Sequence, residues 1–184
     1  MNDIKFNIVR SFGVEANEEY NSSTFTFANE LNIPHMVVLP FYNQTITDIV
    51  EQVGQIYNSL EQNNTLYIEF GNELYDGTSG MTAEQYIAKC SEAYTAVKSA
   101  YPNALVGVPY FPEMSDRAWN NTLLENQSCY DAIILHQYKG FTGSVNGYTQ
   151  DDAMQYLYAY NNYNEKVIDK FTALAPGKEV WIRY

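Results

Sequence analysis

The sequence predicts an α/β fold built on a mostly parallel sheet. Three observations predict it: six short β-rich runs, a helical pattern between successive runs, and connections long enough for right-handed crossovers. No internal repeat and no low-complexity linker interrupts the 184 residues, and a hydrophobic content of 46% suffices for one domain with a real core. Periodicity leaves two arrangements open, an open doubly wound sheet or part of a closed barrel.

The first run, Ile4 to Val9, reads as a strand ending at Arg10 and followed by Ser11-Phe12-Gly13. After a polar segment, Ser23 precedes a short helical pattern of Phe27, Ala28 and Leu31 that closes at Asn32 before Pro34. Met36 to Leu39 is a compact apolar strand broken by Pro40. Thr45 with Asp48 three residues on has the form of a capping box, and Ile46, Ile49, Val50, Val53, Ile56, Tyr57 and Leu60 fall on one helical face. The third strand, Leu66 to Phe70, rises from the polar pair Asn63-Asn64 and stops at Gly71, so it delivers Asn72-Glu73 at its C-terminal end. An irregular loop, Leu74 to Met81, leads to Thr82 and Gln85, a second capping box, and to a helix with the stripe Ile87, Cys90, Tyr94, Val97 and Tyr101. Leu105 to Val108 is the fourth strand, opening into Pro109-Tyr110-Phe111-Pro112. Ser115 is placed to cap a helix with Trp119, Leu123 and Leu124, and Ala132 to Leu135 is the fifth strand, finishing in His136-Gln137-Tyr138. A Gly-rich loop, Lys139 to Tyr148, precedes a long helical segment that begins near Thr149 and Asp152 and stops at Pro176-Gly177. Glu179 to Tyr184 is the sixth strand.

Composition narrows the class of ligand. A formal net charge of -12 with 10 Lys and Arg leaves no basic stripe for phosphates, so neither nucleic acid nor an anionic membrane is an expected partner, and neutral ligands are favoured. The 17 tyrosines and many asparagines supply stacking area and hydrogen bonds without net charge, which suits sugars; they serve equally as core filler. Cys90 and Cys129 belong to no metal-binding pattern; Cys90 falls in an apolar helical stripe, and a bridge between the two remains open. No apolar run approaches the ~20 residues of a membrane span. Sequons at Asn21, Asn43, Asn63, Asn120 and Asn126 point to an extracellular glycoprotein.

The residues suited to chemistry stand at strand ends, where parallel α/β folds place their sites. In chain order they are Val9-Arg10-Ser11-Phe12-Gly13, Phe70-Gly71-Asn72-Glu73-Leu74-Tyr75, Leu135-His136-Gln137-Tyr138 and Val180-Trp181-Ile182. This series resembles the (β/α)8 retaining glycosidases grouped as clan A, most of all the endo-β-1,3-glucanase-like branch. The resemblance implies a TIM-barrel-like parallel sheet with alternating helices, in which Glu73 lies on strand four, Arg10 on strand two and Trp181 on strand seven. Strands two to seven are thus six of the eight. With neighbours one and eight missing, residues 1–184 form one glycosidase-like (β/α) domain, incomplete at both ends, whose two open edges need a partner chain or a further segment.

By the same resemblance Glu73 is the catalytic general acid/base, which needs a raised pKa to hold its proton. Asn72 hydrogen-bonds a sugar hydroxyl, Arg10 braces the nucleophile, and His136 and Tyr138 line the sugar. Carbohydrate is the expected partner, and no cofactor and no metal are expected. Retaining hydrolysis needs two carboxyl groups about 5 to 5.5 Å apart. Where the family pattern ends Trp-Ile-Thr-Glu, this chain has Trp181-Ile182-Arg183-Tyr184, so the nucleophile is not evident. Two functions follow: a glycoside hydrolase acting on or binding a neutral β-linked polysaccharide, or a catalytically inactive glycosidase-fold protein with a glycan-binding or structural role. Other roles stay open for single residues: Arg10 pairing with a core carboxylate such as Glu69, His136 as a strand-end histidine satisfied in the core, and Tyr110 and Trp181 as either stacking platforms or core. Glu69 is expected on the same side of its strand as Glu73, and burial would oblige it to pair. His35 is expected to be structural.

Overall fold

The computed structural model describes residues 9–12, 29–30, 34–60, 65–76, 79–111, 118–136, 165–166 and 168–183, with the backbone alone for 9–12, 76 and 183. Six parallel strands form one sheet: β1 (Val9–Phe12), β2 (His35–Leu39), β3 (Leu66–Phe70), β4 (Leu105–Tyr110), β5 (Ala132–His136) and β6 (Glu179–Arg183). Their spatial order is their sequence order, with every neighbouring pair parallel. A doubly wound sheet reverses its strand order at a switch point, whereas a barrel winds in one direction. The order therefore decides what periodicity left open, in favour of the barrel-type sheet.

Between the strands lie α1 (Ile46–Ser59), α2 (Ala83–Ala100), α3 (Ala118–Glu125) and the helical residues 168–174, here α4. Both capping boxes form. Thr45 accepts from the Asp48 amide while Asp48 accepts from the Thr45 amide, and Thr82 and Gln85 reciprocate in the same way. The helix expected from Ser23 lies almost wholly outside the described residues, as do Ser115 and the start of the long helix at Thr149; the end of the latter, before Pro176-Gly177, is as expected.

Strand alternation divides the sheet into two faces. Val37, Leu39, Leu66, Ile68, Phe70, Val106, Val108, Tyr110, Ile133 and Leu135 pack with helix residues such as Ile49, Val53, Ile56, Tyr86 and Val97 in the main core. The other face carries Tyr67, Glu69, Gly107, Ile134, His136 and Trp181. Trp181 crosses that face: a Cβ built on Gly107 would meet its ring at 2.5 Å, and its ring lies 5.2 Å from Tyr67. Side chains thus cover this face, as they fill the interior of closed (β/α) barrels.

Several elements differ from their sequence reading. β1 runs past Arg10 to Phe12 because Ser11 and Phe12 continue in register with Val37 and Val38. β4 extends through Pro109 and Tyr110; pairing with β3 is recorded up to Gly107, so a residue without an N–H sits where β4 pairs with β5 alone. On α2 the fully inward positions are Ala83, Tyr86, Cys90, Ala93 and Val97, with Ile87 and Tyr94 at the margin. Tyr110 packs edge-on to Phe171 at 4.7 Å in the core, and so is no stacking platform. Both cysteines are buried and free.

Away from the strand C-termini, Asp131 fastens the sheet. It accepts from the Val106 amide at 2.9 Å, from the Tyr94 hydroxyl at 2.8 Å and from Lys98 at 3.3 Å. His35, at the opposite end of β2 from the candidate site, is fully buried, and burial pushes its pKa down from 6.5 to about 4. Native His35 is therefore neutral where the unfolded chain begins to protonate. Its contribution is complete above pH 6.5 and declines as the pH falls towards 4, by up to roughly 3 kcal/mol. Urea unfolding at pH 7 and pH 4.5 should show this loss in the wild type and a smaller one in His35→Gln.

Candidate active site

The site begins where β3 ends. Tyr67 and Glu69 face away from the helix-packed core while Leu66, Ile68 and Phe70 face the helices. Gly71 then takes a left-handed φ of 84°, with its amide donating to the Glu69 carbonyl at 3.0 Å, and Glu73 takes φ 49°. Such a backbone costs a non-glycine residue about 1–2 kcal/mol and persists where its surroundings over-determine it.

The surroundings are aromatic. The Phe70 ring stacks on Phe41 at 4.7 Å, Phe41 meets Tyr86 at 5.4 Å, and Tyr86 meets Trp119 at 4.7 Å. The buried Tyr86 hydroxyl donates to the Phe70 carbonyl at 2.7 Å, one residue before the turn. The Phe41 loop is itself held by the Lys89 ammonium, which donates to the carbonyls of Phe41, Tyr42 and Gln44. Desolvation pushes the Lys89 pKa below its usual value.

Two strands away, β5 ends at His136, and its ring joins both glutamates. Nδ1 lies 2.9 Å from Glu73 Oε1 and Nε2 lies 3.0 Å from Glu69 Oε1. The His136 and Glu69 side chains are 0% exposed, whereas that of Glu73 is 26% exposed. One carboxyl is thus sealed inside the sheet and the other stands at its mouth. Glu69 meets His136 on the sheet face they share by strand alternation, whereas Glu73 lies beyond the Gly71 turn, which brings its side chain back over the ring.

Of the residues expected at the site, the structure brings together Glu73 and His136, with Asn72 half-buried beside Glu73 in the turn. His136 lies beneath Glu73 with both nitrogens on carboxylates, a position in which it holds the glutamate. Arg10 stands on β1 in register with Met36, and the described structure of that strand is backbone. Tyr138 and Tyr184 lie outside the described residues. Arg183 is in register with His136. Glu69 was legible as a buried carboxylate that must pair, but its partner was not; Tyr86 carried no signal beyond its helical position.

No protein-family model matches the sequence, and neither does any curated protein sequence. Solved structures do match. An FMN-binding β-glucuronidase from Facaelibacterium prausnitzii L2-6 is similar with TM-score 0.58 and 15% identity, over 96% of this chain and 24% of its own. A family 51 α-L-arabinofuranosidase from Bifidobacterium longum gives TM-score 0.61 and 13% identity, over 89% and 38%. An α-L-arabinofuranosidase from Thermotoga maritima gives 0.58 and 20%, over 92% and 39%. The chain therefore spans between 24% and 39% of the length of these structures. At such identities the likeness is one of fold: an α/β, TIM-barrel-like parallel sheet alternating with helices. No helix among the described residues is long and apolar enough to cross a membrane.

Proposed function

We propose that the chain carries the acid/base half of a clan A retaining glycosidase that acts on a neutral β-linked polysaccharide of the extracellular space. The observation that carries this reading is Glu73: a part-exposed carboxyl at the C-terminal end of a parallel strand, held in a left-handed turn and bonded to a buried histidine. Glu73 Oε1 faces His136 Nδ1, so the second oxygen is the one to protonate the leaving glycosidic oxygen and, in the return step, to take a proton from water. Asn72 hydrogen-bonds a hydroxyl of the bound sugar, Tyr138 lines it, and Arg10 braces the nucleophile. The endo-β-1,3-glucanase-like branch is the first place to look for the substrate. That solved glycosidases share the fold supports the reading, as does a composition suited to neutral ligands.

Glu69 is sealed from solvent and so cannot attack an anomeric carbon. The carboxylate partner of Glu73 is therefore a group other than Glu69. Because Arg183-Tyr184 stands where the family pattern has Thr-Glu, a second reading is a glycan-binding protein that keeps the fold without the nucleophile. Hydrolysis of a β-glucan panel by the intact parent protein and its Glu73→Gln form separates them. The enzyme reading expects turnover that falls at least about a hundredfold in the variant. Saturable glucan binding without turnover in either protein selects the second reading, and equal turnover in both removes Glu73 from the mechanism.

A further inference from the structure

The three side chains at the strand ends form a linear array of two carboxyls with an imidazole between them. At 2.9 and 3.0 Å, each ring nitrogen is at hydrogen-bond distance from a carboxyl oxygen. Two facing lone pairs repel at that distance, so each gap holds a proton. The array therefore carries at least two protons: both on the ring, or one on the ring and one on a carboxyl.

Intrinsic basicity and charge decide between these. An unperturbed imidazole binds a proton about two pK units more tightly than a glutamate carboxylate. A positive ring against the Glu69 carboxylate, both sealed from water, is also the arrangement that Coulomb attraction favours. We infer that Glu69, His136 and Glu73 act as one proton-holding unit, with His136 doubly protonated between the Glu69 carboxylate and the Glu73 carboxyl, and Glu69 the buried positioning residue that keeps it so. The functional part of this inference rests on the acid/base reading of Glu73.

Two consequences follow. Glu69 fixes the ring plane and balances its charge, so Glu73 can still hold a proton on the oxygen that does not face the ring. When Glu73 Oε2 gives that proton to a leaving oxygen, the carboxylate left behind already accepts the Nδ1–H, and no heavy atom has to move. This is preorganised stabilisation of a charge that appears during the reaction. Among the described residues, the other titratable groups on the elements around the array are Tyr86 on α2, whose hydroxyl is pushed up by burial first and by Glu69 among its charged neighbours, Tyr67 on the same face of β3, Arg10 on β1 in register with Met36, and Arg183 in register with His136 on β6. β4 contributes Gly107 and Pro109 to that face, neither of which titrates.

The test is nitrogen NMR of the intact protein labelled at histidine, a tractable spectrum because the sequence has 2 histidines. At pH 7.5 His136 is expected to show both ring nitrogens protonated, beside the neutral signature of His35, and His35→Gln assigns the two sets. Glu69→Gln is expected to turn one His136 nitrogen into an unprotonated one, while Glu69→Asp keeps both protons. A wild-type His136 with one bare nitrogen at pH 7.5 overturns the proposal, whether or not any variant folds. A Glu69→Gln ring that keeps both protons overturns the role of Glu69. The signature without glucan turnover leaves the proton-holding unit standing and counts against the glycosidase reading; turnover without the signature does the reverse.

Discussion

Replacing His136 by Ala is expected to cost roughly 3–5 kcal/mol of folding stability, the range for removing one partner of a buried charged pair. Both His136 and Glu69 are 0% exposed, and their contact is 3.0 Å. Alanine takes a donor from a carboxylate that water does not reach, opens a cavity under the strand ends, and removes the group that holds Glu73 in its turn. A double variant, Glu69→Leu with His136→Leu, exchanges the buried half of the array for apolar groups and should recover most of the loss, because apolar replacement of a buried pair is often neutral. Urea unfolding of the single and double variants measures both values. A single-variant cost below about 1 kcal/mol would put the contact in the class of exposed ion pairs and refute its buried, charged character.

Gly71→Ala is expected to cost about 2–5 kcal/mol, from two additive sources. The first is backbone: at φ 84° a Cβ is strained in any L-residue. The second is space, since that Cβ would lie 2.4 Å from Leu74 Cδ1, 2.8 Å from Leu74 Cγ and 3.2 Å from Phe41 Cβ. Gly177 provides the control. Its φ is 81°, but nothing lies within 4 Å of a Cβ there, so Gly177→Ala should show the backbone part alone, about 1–2 kcal/mol. Equal melting points for the two variants would refute the packing argument. Because Glu73 follows two residues later, Gly71→Ala should also disturb the His136 contact and, if the chain is an enzyme, its turnover.

Both predictions concern the same few ångströms. The strand end, the left-handed turn, the Tyr86 hydroxyl on the Phe70 carbonyl and the Phe41 stack form one support, and Glu73 is the group it presents. The backbone strain at Glu73 is the mark of that support: a glutamate at φ 49° in a surface loop would relax, whereas this one is held from beneath by His136 and from behind by the aromatic cluster.

Much of this was legible in the residues themselves. The alternation of β-rich runs with amphipathic stretches, the two capping boxes at Thr45 and Thr82, and the stop at Gly71 are local signals, set by propensity, capping and φ over a few neighbours. They sufficed to place an Asn-Glu pair at a strand end. Local signals failed where packing chose between near-equal faces. On α2 the inward aromatic is Tyr86 and not Tyr94, because Tyr86 can reach the Phe70 carbonyl while Tyr94 reaches Asp131 at the margin. The sheet order and the array at the site belong to tertiary structure alone. Glu69 and His136 are 67 residues apart, and Glu73 and His136 are 63 apart. By itself the sequence determined which side chains stand at strand ends; the register of β3, β4 and β5, together with the Gly71 turn, decided which of them meet, because a contact across strands depends on the alignment of whole elements and no local stretch encodes it.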